Sequence, residues 1–281
     1  MVLIPLISAL ATATHTIIDK VILSRQKMDY RAFTIITFIY IFLIMLLLSP
    51  FLLNYLDLNL LRDVRFFLPV LMVAVLAATY NVLFFHGLKL EKVYESQLFA
   101  MSIPLFTVLI VSIFYASERH PLILGAALVA SLALVWSHLK KGAFRIGRGS
   151  LMILSAAFLI GLEAVLLKSL LLVFEPFSMY FVRVLFASII LLAYYRPKFK
   201  PLKASSHGFL FIVSFLMFTQ FYFMFIGYAL LGVNYTTLIL TTIPIFVYLF
   251  DWLFLKEKIK PRILVAAAII LLSILAVQLL G

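Results

Sequence analysis

The residues able to do chemistry in this chain are few, and most lie inside apolar stretches where a polar group needs a partner or a cavity. The first stretch carries Ser8, Thr12, His15, Thr16 and Asp19. That spacing keeps all five within about 100° of one helix face. Ser8 and Thr12 suit interhelical hydrogen bonding. His15, near mid-helix, suits a cavity role, and Asp19, nearer the end, suits a structural pair or solvation equally. Glu163 is a carboxylate in a distant apolar stretch, so it must be protonated, paired or wet. Arg183 is its candidate partner; the alternative is a substrate or proton site. Lys20 and Lys168 lie near the ends of their stretches and are expected to snorkel toward the interface.

Two further clusters combine amides, phenols and hydroxyls: Thr79, Tyr80 and Asn81, then Thr219, Gln220 and Tyr222. Adjacent residues cannot share one helix face, so some of each cluster only binds neighbouring helices. Tyr80, Asn81 and Gln220 are the candidates for substrate contact, because their donors and acceptors are directional. His86 falls near a helix end and is expected at the interface. Gln97, Met101 and Ser102 precede Pro104, and Thr237, Thr241 and Thr242 precede Pro244. A mid-helix proline frees the carbonyl four residues back, here Ala100 and Leu240, and in lipid that carbonyl needs another partner. Thr237, Thr241, Pro244, Tyr248 and Asp251 run down one face. The candidate substrate-binding set is therefore His15, Tyr80, Asn81, Gln97, Met101, Glu163, Gln220, Thr237 and Thr241. The chain has no cysteine, which removes disulfides, thiolate catalysis and thiolate metal sites. No nucleotide-binding glycine loop, paired-histidine metal spacing or nucleophile triad is present, so no cofactor and no enzymatic activity are expected.

The elements that must position these groups are membrane helices. Of the 281 residues, 65% are hydrophobic and only 12% charged. Apolar runs of about 20 residues recur, each long enough to cross the hydrocarbon layer. The pattern predicts ten helices over 2–23, 31–53, 66–88, 93–116, 121–138, 150–172, 177–195, 207–230, 233–255 and 261–280. The first lacks a basic start and carries polar residues, so it is expected to be a retained helix rather than a signal peptide. The net charge of +12 fits basic loops beside anionic lipid rather than a nucleic-acid partner. The fifth and tenth segments, with Ala126, Ala127, Ala130 and Ser131 in one and Ala266 to Ala268 in the other, are expected to be peripheral scaffold or homodimer contacts.

The same landmarks occur twice, 140 residues apart: Gly87 and Gly227, Val93 and Val233, Pro104 and Pro244, Pro121 and Pro261. With a shifted offset, His15 pairs with Glu163 and Lys20 with Lys168. A five-segment unit is duplicated, with repeats over 1–141 and 142–281. Because five is odd, the second copy crosses the membrane in the opposite sense. Inverted repeats with broken helices mark a transporter whose site lies between the halves. Loop charge sets the orientation: with the amino terminus outside, 17 basic residues fall on the cytoplasmic side and only Arg62, Arg65 and Arg119 on the other. Both termini are then outside the cell membrane.

The chain resembles the drug/metabolite transporter superfamily, in its ten-helix EamA-type branch. The resemblance rests on the duplicated unit and on the segments SIPLFTVLIVSIFYASERHP and TTIPIFVYLFDWLFLKEKIKP, each an internal proline followed by an acidic residue, Glu118 or Glu257, before the last helix. The second acidic residue is one place out of register with the first. The resemblance implies an export or exchange carrier for small metabolites. It also implies a central cavity built by the first, third, fourth, sixth, eighth and ninth segments. Together these point to a secondary carrier of a small metabolite such as an amino acid, driven by a proton or a counter-substrate. A multidrug or organic-cation exporter is the alternative, ahead of a membrane-embedded enzyme or a non-transporting subunit.

Overall fold

A computed structural model describes residues 1–25, 28–53, 60–91, 99–138, 147–195, 204–255 and 261–280. These are almost wholly helical, with no strand among them. Helix α1 spans Leu3–Lys20, α2 Tyr30–Leu52 and α3 Val64–Leu90. Then come α4 (Ser102–Phe114), α5 (Pro121–His138), α6 (Arg148–Leu170) and α7 (Pro176–Tyr195). The rest are α8 (Ala204–Leu231), α9 (Val233–Leu240), α10 (Ile243–Leu255) and α11 (Pro261–Leu280). Helices α5, α7 and α11 each start on a proline, whose missing N–H costs nothing at the first helical position. Asp63 caps α3 by accepting the Arg65 amide at 2.9 Å. The Arg65 side chain bonded to it holds the Asp63 carboxyl below its ordinary range.

Among the described residues, six helices are long and apolar enough to cross a bilayer: α1, α2, α3, α6, α7 and α8. The remaining apolar helices are shorter. This is a multi-pass membrane protein. Its halves interlock: α3 packs on α6, α1 on α8, α4 on α6, and α5 on α11. The main core joins α2, α3, α6, α7 and α8 around Phe33, Phe85, Phe177, Tyr180 and Phe225. A smaller cluster joins α5, α9 and α11 through Ala127, Ala130, Ile239 and Ile270. The small residues of α5 and α11 thus serve contact between these two helices.

The two proline-bearing segments are interrupted, as the broken-helix reading of the sequence expects. One interruption is a turn at Met101 and the other a turn at Thr241–Thr242. Pro104 and Pro244 sit in the first turn of α4 and α10, where their ring geometry is tolerated. The carbonyls at the breaks are met locally. Thr241 and Thr242 donate both N–H and hydroxyl to Leu238 and Ile239, the hydroxyls at 2.6 and 2.8 Å. The Ser102 hydroxyl donates to the Phe99 carbonyl at 2.6 Å.

Two glycines at equivalent places in the sequence allow close approach. A Cβ on Gly87 would lie 2.7 Å from the Gly149 carbonyl oxygen, and one on Gly227 would lie 2.8 Å from the Thr236 methyl. Gly87→Val should therefore force α3 away from α6 and cost about 1–3 kcal/mol. The melting temperature of the purified protein checks this; Gly125, whose Cβ position is open, is the control expected to tolerate alanine.

Candidate functional site

Helices α1, α3, α4, α6, α8, α9 and α10 surround a cavity of about 150 Å³. These are the segments expected to build it. A cavity of about this size holds a benzene-sized molecule. Its polar lining is Thr12 and Thr16 from α1, Tyr80 from α3, Thr107 from α4, Glu163 from α6, Gln220 and Tyr228 from α8, and Thr237 and Thr241 beside the α9–α10 break. Met101, Pro104, Ile243 and Pro244 bring both helix interruptions to the wall. The larger part of the wall is apolar, Phe84, Phe221 and Met224 among it.

Of the predicted set, Tyr80, Met101, Glu163, Gln220, Thr237 and Thr241 meet at this cavity. His15 and Asn81 do not line it. His15, 6% exposed, is engaged by Asp19 and Gln220, and Asn81 donates its side-chain amide to the Ala77 carbonyl of its own helix at 2.8 Å. Gln97 lies outside the described residues, as do the side chains of Lys20, Tyr248 and Asp251.

Glu163 is not a lone carboxylate. Its Oε1 accepts from Arg183 Nε of α7 at 2.7 Å, and the two side chains are 2% and 1% exposed. Arg183 also donates to the Tyr80 hydroxyl. The guanidinium lies over the ring of Phe221, 4.6 Å from its centroid, with Tyr180 and Phe225 at 5.7 and 5.8 Å. Aromatic faces stabilise a cation that water cannot reach. The pair thus ties α6, α7 and α3 together and turns its carboxylate side to the cavity.

A second polar centre joins α1 to α8. His15 Nδ1 lies 2.8 Å from Asp19 Oδ2, and its Nε2 lies 2.5 Å from Gln220 Oε1. Ser8 donates to the Gln220 backbone carbonyl at 2.8 Å, the interhelical role expected of it. Asp19 is 1% exposed, so it is a buried partner of His15 rather than a solvated end group.

A third centre lay outside the candidate set. Glu118, in the turn before α5, accepts the backbone N–H groups of Val233 and Asn234 at 3.1 and 2.9 Å. Lys168 of α6 reaches the same carboxylate at 2.6 Å instead of snorkelling to the interface. A carboxylate is favoured there by the positive end of α9. Gly232, with φ +86°, lets the chain turn over Glu118; a Cβ would meet Oε1 at 2.9 Å. The Asn234 side chain donates to the Glu118 carbonyl and to Ser112 Oγ, at 2.9 and 2.7 Å. The acidic residue before the fifth segment, visible in the sequence, was the available signal.

Residues 147–279 match the EamA-like transporter family. The second half of the chain is thus similar to an EamA-like unit, from a family of the drug/metabolite transporter superfamily. A crystal structure of a protein 17% identical superposes over 99% of this chain and 96% of its own, with a TM-score of 0.79, and so shares the fold. No curated protein matches the chain in sequence.

Breaking the Glu163–Arg183 pair should be more harmful than removing it. Arg183→Met strands a buried carboxylate and should lower stability by about 3–5 kcal/mol, whereas Arg183→Met with Glu163→Gln should recover much of the loss. Thermal unfolding of the three proteins measures it. Equal destabilisation by single and double variants would contradict the pairing as the source.

Proposed function

We propose that this protein is a secondary transporter of a small zwitterionic metabolite of amino-acid type. It works by alternating access between two inverted five-helix repeats, residues 1–141 and 142–281. The single observation that carries this is the cavity enclosed jointly by both halves and bounded by two helix interruptions about 140 residues apart. Broken helices present charged ends to a solute inside the membrane. Here the amino-terminal turns of α4 and α10 offer partial positive charge to a carboxylate. Glu163 offers a negative group to an ammonium. The Glu163–Arg183 pair is neutral overall, which suits a neutral zwitterion better than the organic cation of a multidrug exporter. Phe84, Phe221 and Met224 would receive an apolar side chain.

The Glu118–Lys168 contact closes the bundle end where α4, α6 and α8 finish and α9 begins. We assign it as one gate. With the orientation that the basic loops favour, it lies on the outer side, with both termini outside the cell membrane and export or exchange as the direction of use. Ten crossings follow if α9 with α10 forms one span, as do α4 with the residues before it, α5 and α11.

Counterflow in proteoliposomes tests this reading. Liposomes loaded with one unlabelled L-amino acid at a time should accumulate the same labelled amino acid for at least one member of the panel. Gln220→Leu and Thr241→Val should each weaken that exchange by about tenfold, the loss of one hydrogen bond to a bound solute. No counterflow with any amino acid, alongside counterflow with organic cations, would replace this reading with the multidrug one.

A further inference from the structure

We propose that Asp19, His15 and Gln220 form a proton-operated switch that changes what the cavity wall offers to solute. The proposal stands on their geometry. Asp19 is a buried carboxylate inside the first membrane helix, and its Oδ1 has no hydrogen-bond partner among the described residues. Its Oδ2 lies 2.8 Å from His15 Nδ1. The far nitrogen of the ring lies 2.5 Å from the side-chain oxygen of Gln220, a residue that lines the cavity. The three groups thus run in line from a buried carboxylate to the solute space.

The chemistry of the contacts defines two states. An amide oxygen can only accept, so with Gln220 Oε1 on Nε2 the ring nitrogen donates. Nδ1 then shares a second proton with Asp19. In this loaded state the pair carries two exchangeable protons and no net charge, and the Gln220 NH₂ group is left for the cavity. When Nε2 releases its proton to cavity water, the ring is neutral, Nδ1–H donates to the Asp19 carboxylate, and the pair bears one negative charge. Nε2 has become an acceptor. The Gln220 amide must then turn over and donate its NH₂ group to the ring, leaving its oxygen for the cavity. Each of the two amide orientations belongs to one proton occupancy. The wall presents a donor when loaded and an acceptor when unloaded, and solute that binds one state better shifts the proton equilibrium in return. A histidine changes charge in the physiological range, which a carboxylate or lysine at its ordinary value does not.

Few titratable groups among the described residues face the pair from the elements packed against it. From α8, Gln220 meets the ring, while His207 is engaged by Tyr40 and Tyr222 stacks on Phe218. Tyr228 and, across the cavity, Glu163 face the same space, and Glu163 is held by Arg183. From α9, Tyr235 packs in the peripheral cluster. The side chains of Lys20, Arg25, Tyr248 and Asp251, on α1, the turn after it and α10, lie outside the described residues.

Proton binding needs no solute, so it is tested first. Isotope-edited infrared titration of the full-length protein in nanodiscs, between about pH 5 and 9, should show a reversible histidine–carboxylate signal. Asp19→Asn should abolish it, and His15→Gln, which keeps the carboxylate, should move its midpoint by about one pH unit or more. The same proteins then take up labelled L-amino acids from the panel, with and without a pH gradient. In wild type the gradient should change uptake about fivefold or more. In Asp19→Asn and Gln220→Leu the ratio should fall to one, although Gln220→Leu retains the infrared titration. If Asp19→Asn does not fold, His15→Gln replaces it, with the infrared midpoint moved and the uptake ratio falling to one as the expected result. Coupling rests on the carrier reading, whereas proton binding does not. A wild type that transports none of the panel but still titrates at Asp19 and His15 would sink the carrier reading alone. A signal that is absent, or that survives both substitutions and vanishes in Glu163→Gln, would overturn the switch.

Discussion

A charge inside the membrane must find its opposite within the protein, and the packing of this chain is organised by that requirement. Among the described residues the buried acidic side chains are Asp19, Glu118 and Glu163. Each has a basic partner at hydrogen-bond distance: His15, Lys168 and Arg183. Each centre also joins different helices. Glu163 and Arg183, with Tyr80, lock α6, α7 and α3. His15 and Asp19 join α1 to α8 through Gln220. Glu118 and Lys168 tie the α4–α5 turn to α6 and to the start of α9. A pair deep in low dielectric is costly to separate and poor as a source of net stability compared with apolar packing. Its value lies in specifying which helices meet.

The second constraint is the backbone. In hydrocarbon a free carbonyl is expensive, so a helix can be interrupted only where protein or a cavity meets its loose ends. The hydroxyls of Ser102, Thr241 and Thr242 meet carbonyls beside the two turns. The breaks face the cavity and bring amino-terminal helix turns, with their partial positive charge, to its wall. The charge pairs and the helix breaks thus place a few polar groups, neutral overall, on the wall of a mostly apolar chamber.

Much of this was legible in the sequence, for identifiable reasons. Proline at 104 and again at 244 announced two interrupted helices, and the interruptions fall among the residues just before each proline. The cost of a solitary carboxylate singled out Arg183 for Glu163. The stripe on the first helix gave the correct face but not the depth, so His15 was expected at the cavity wall while Thr12 and Thr16 occupy it. A helical pattern fixes angle and not distance from a neighbouring helix. Lys168 and Glu118 are 50 positions apart, on elements whose closeness depends on how α4, α6 and α9 pack, and no local spacing carries that. Gln220 was a candidate for its amide alone; its engagement with His15 required the packing of α1 on α8.

The central claim is a solute-accessible chamber at the helix breaks, and thiol labelling tests it most directly. The chain has no cysteine of its own, so single cysteines report without background. Thr241→Cys, at the break, should react with a charged aqueous thiol reagent, and an amino acid that supports counterflow should slow that reaction. Ile270→Cys, buried in the contact between α5 and α11, should remain inert. Reaction at both positions, or at neither, would contradict the account.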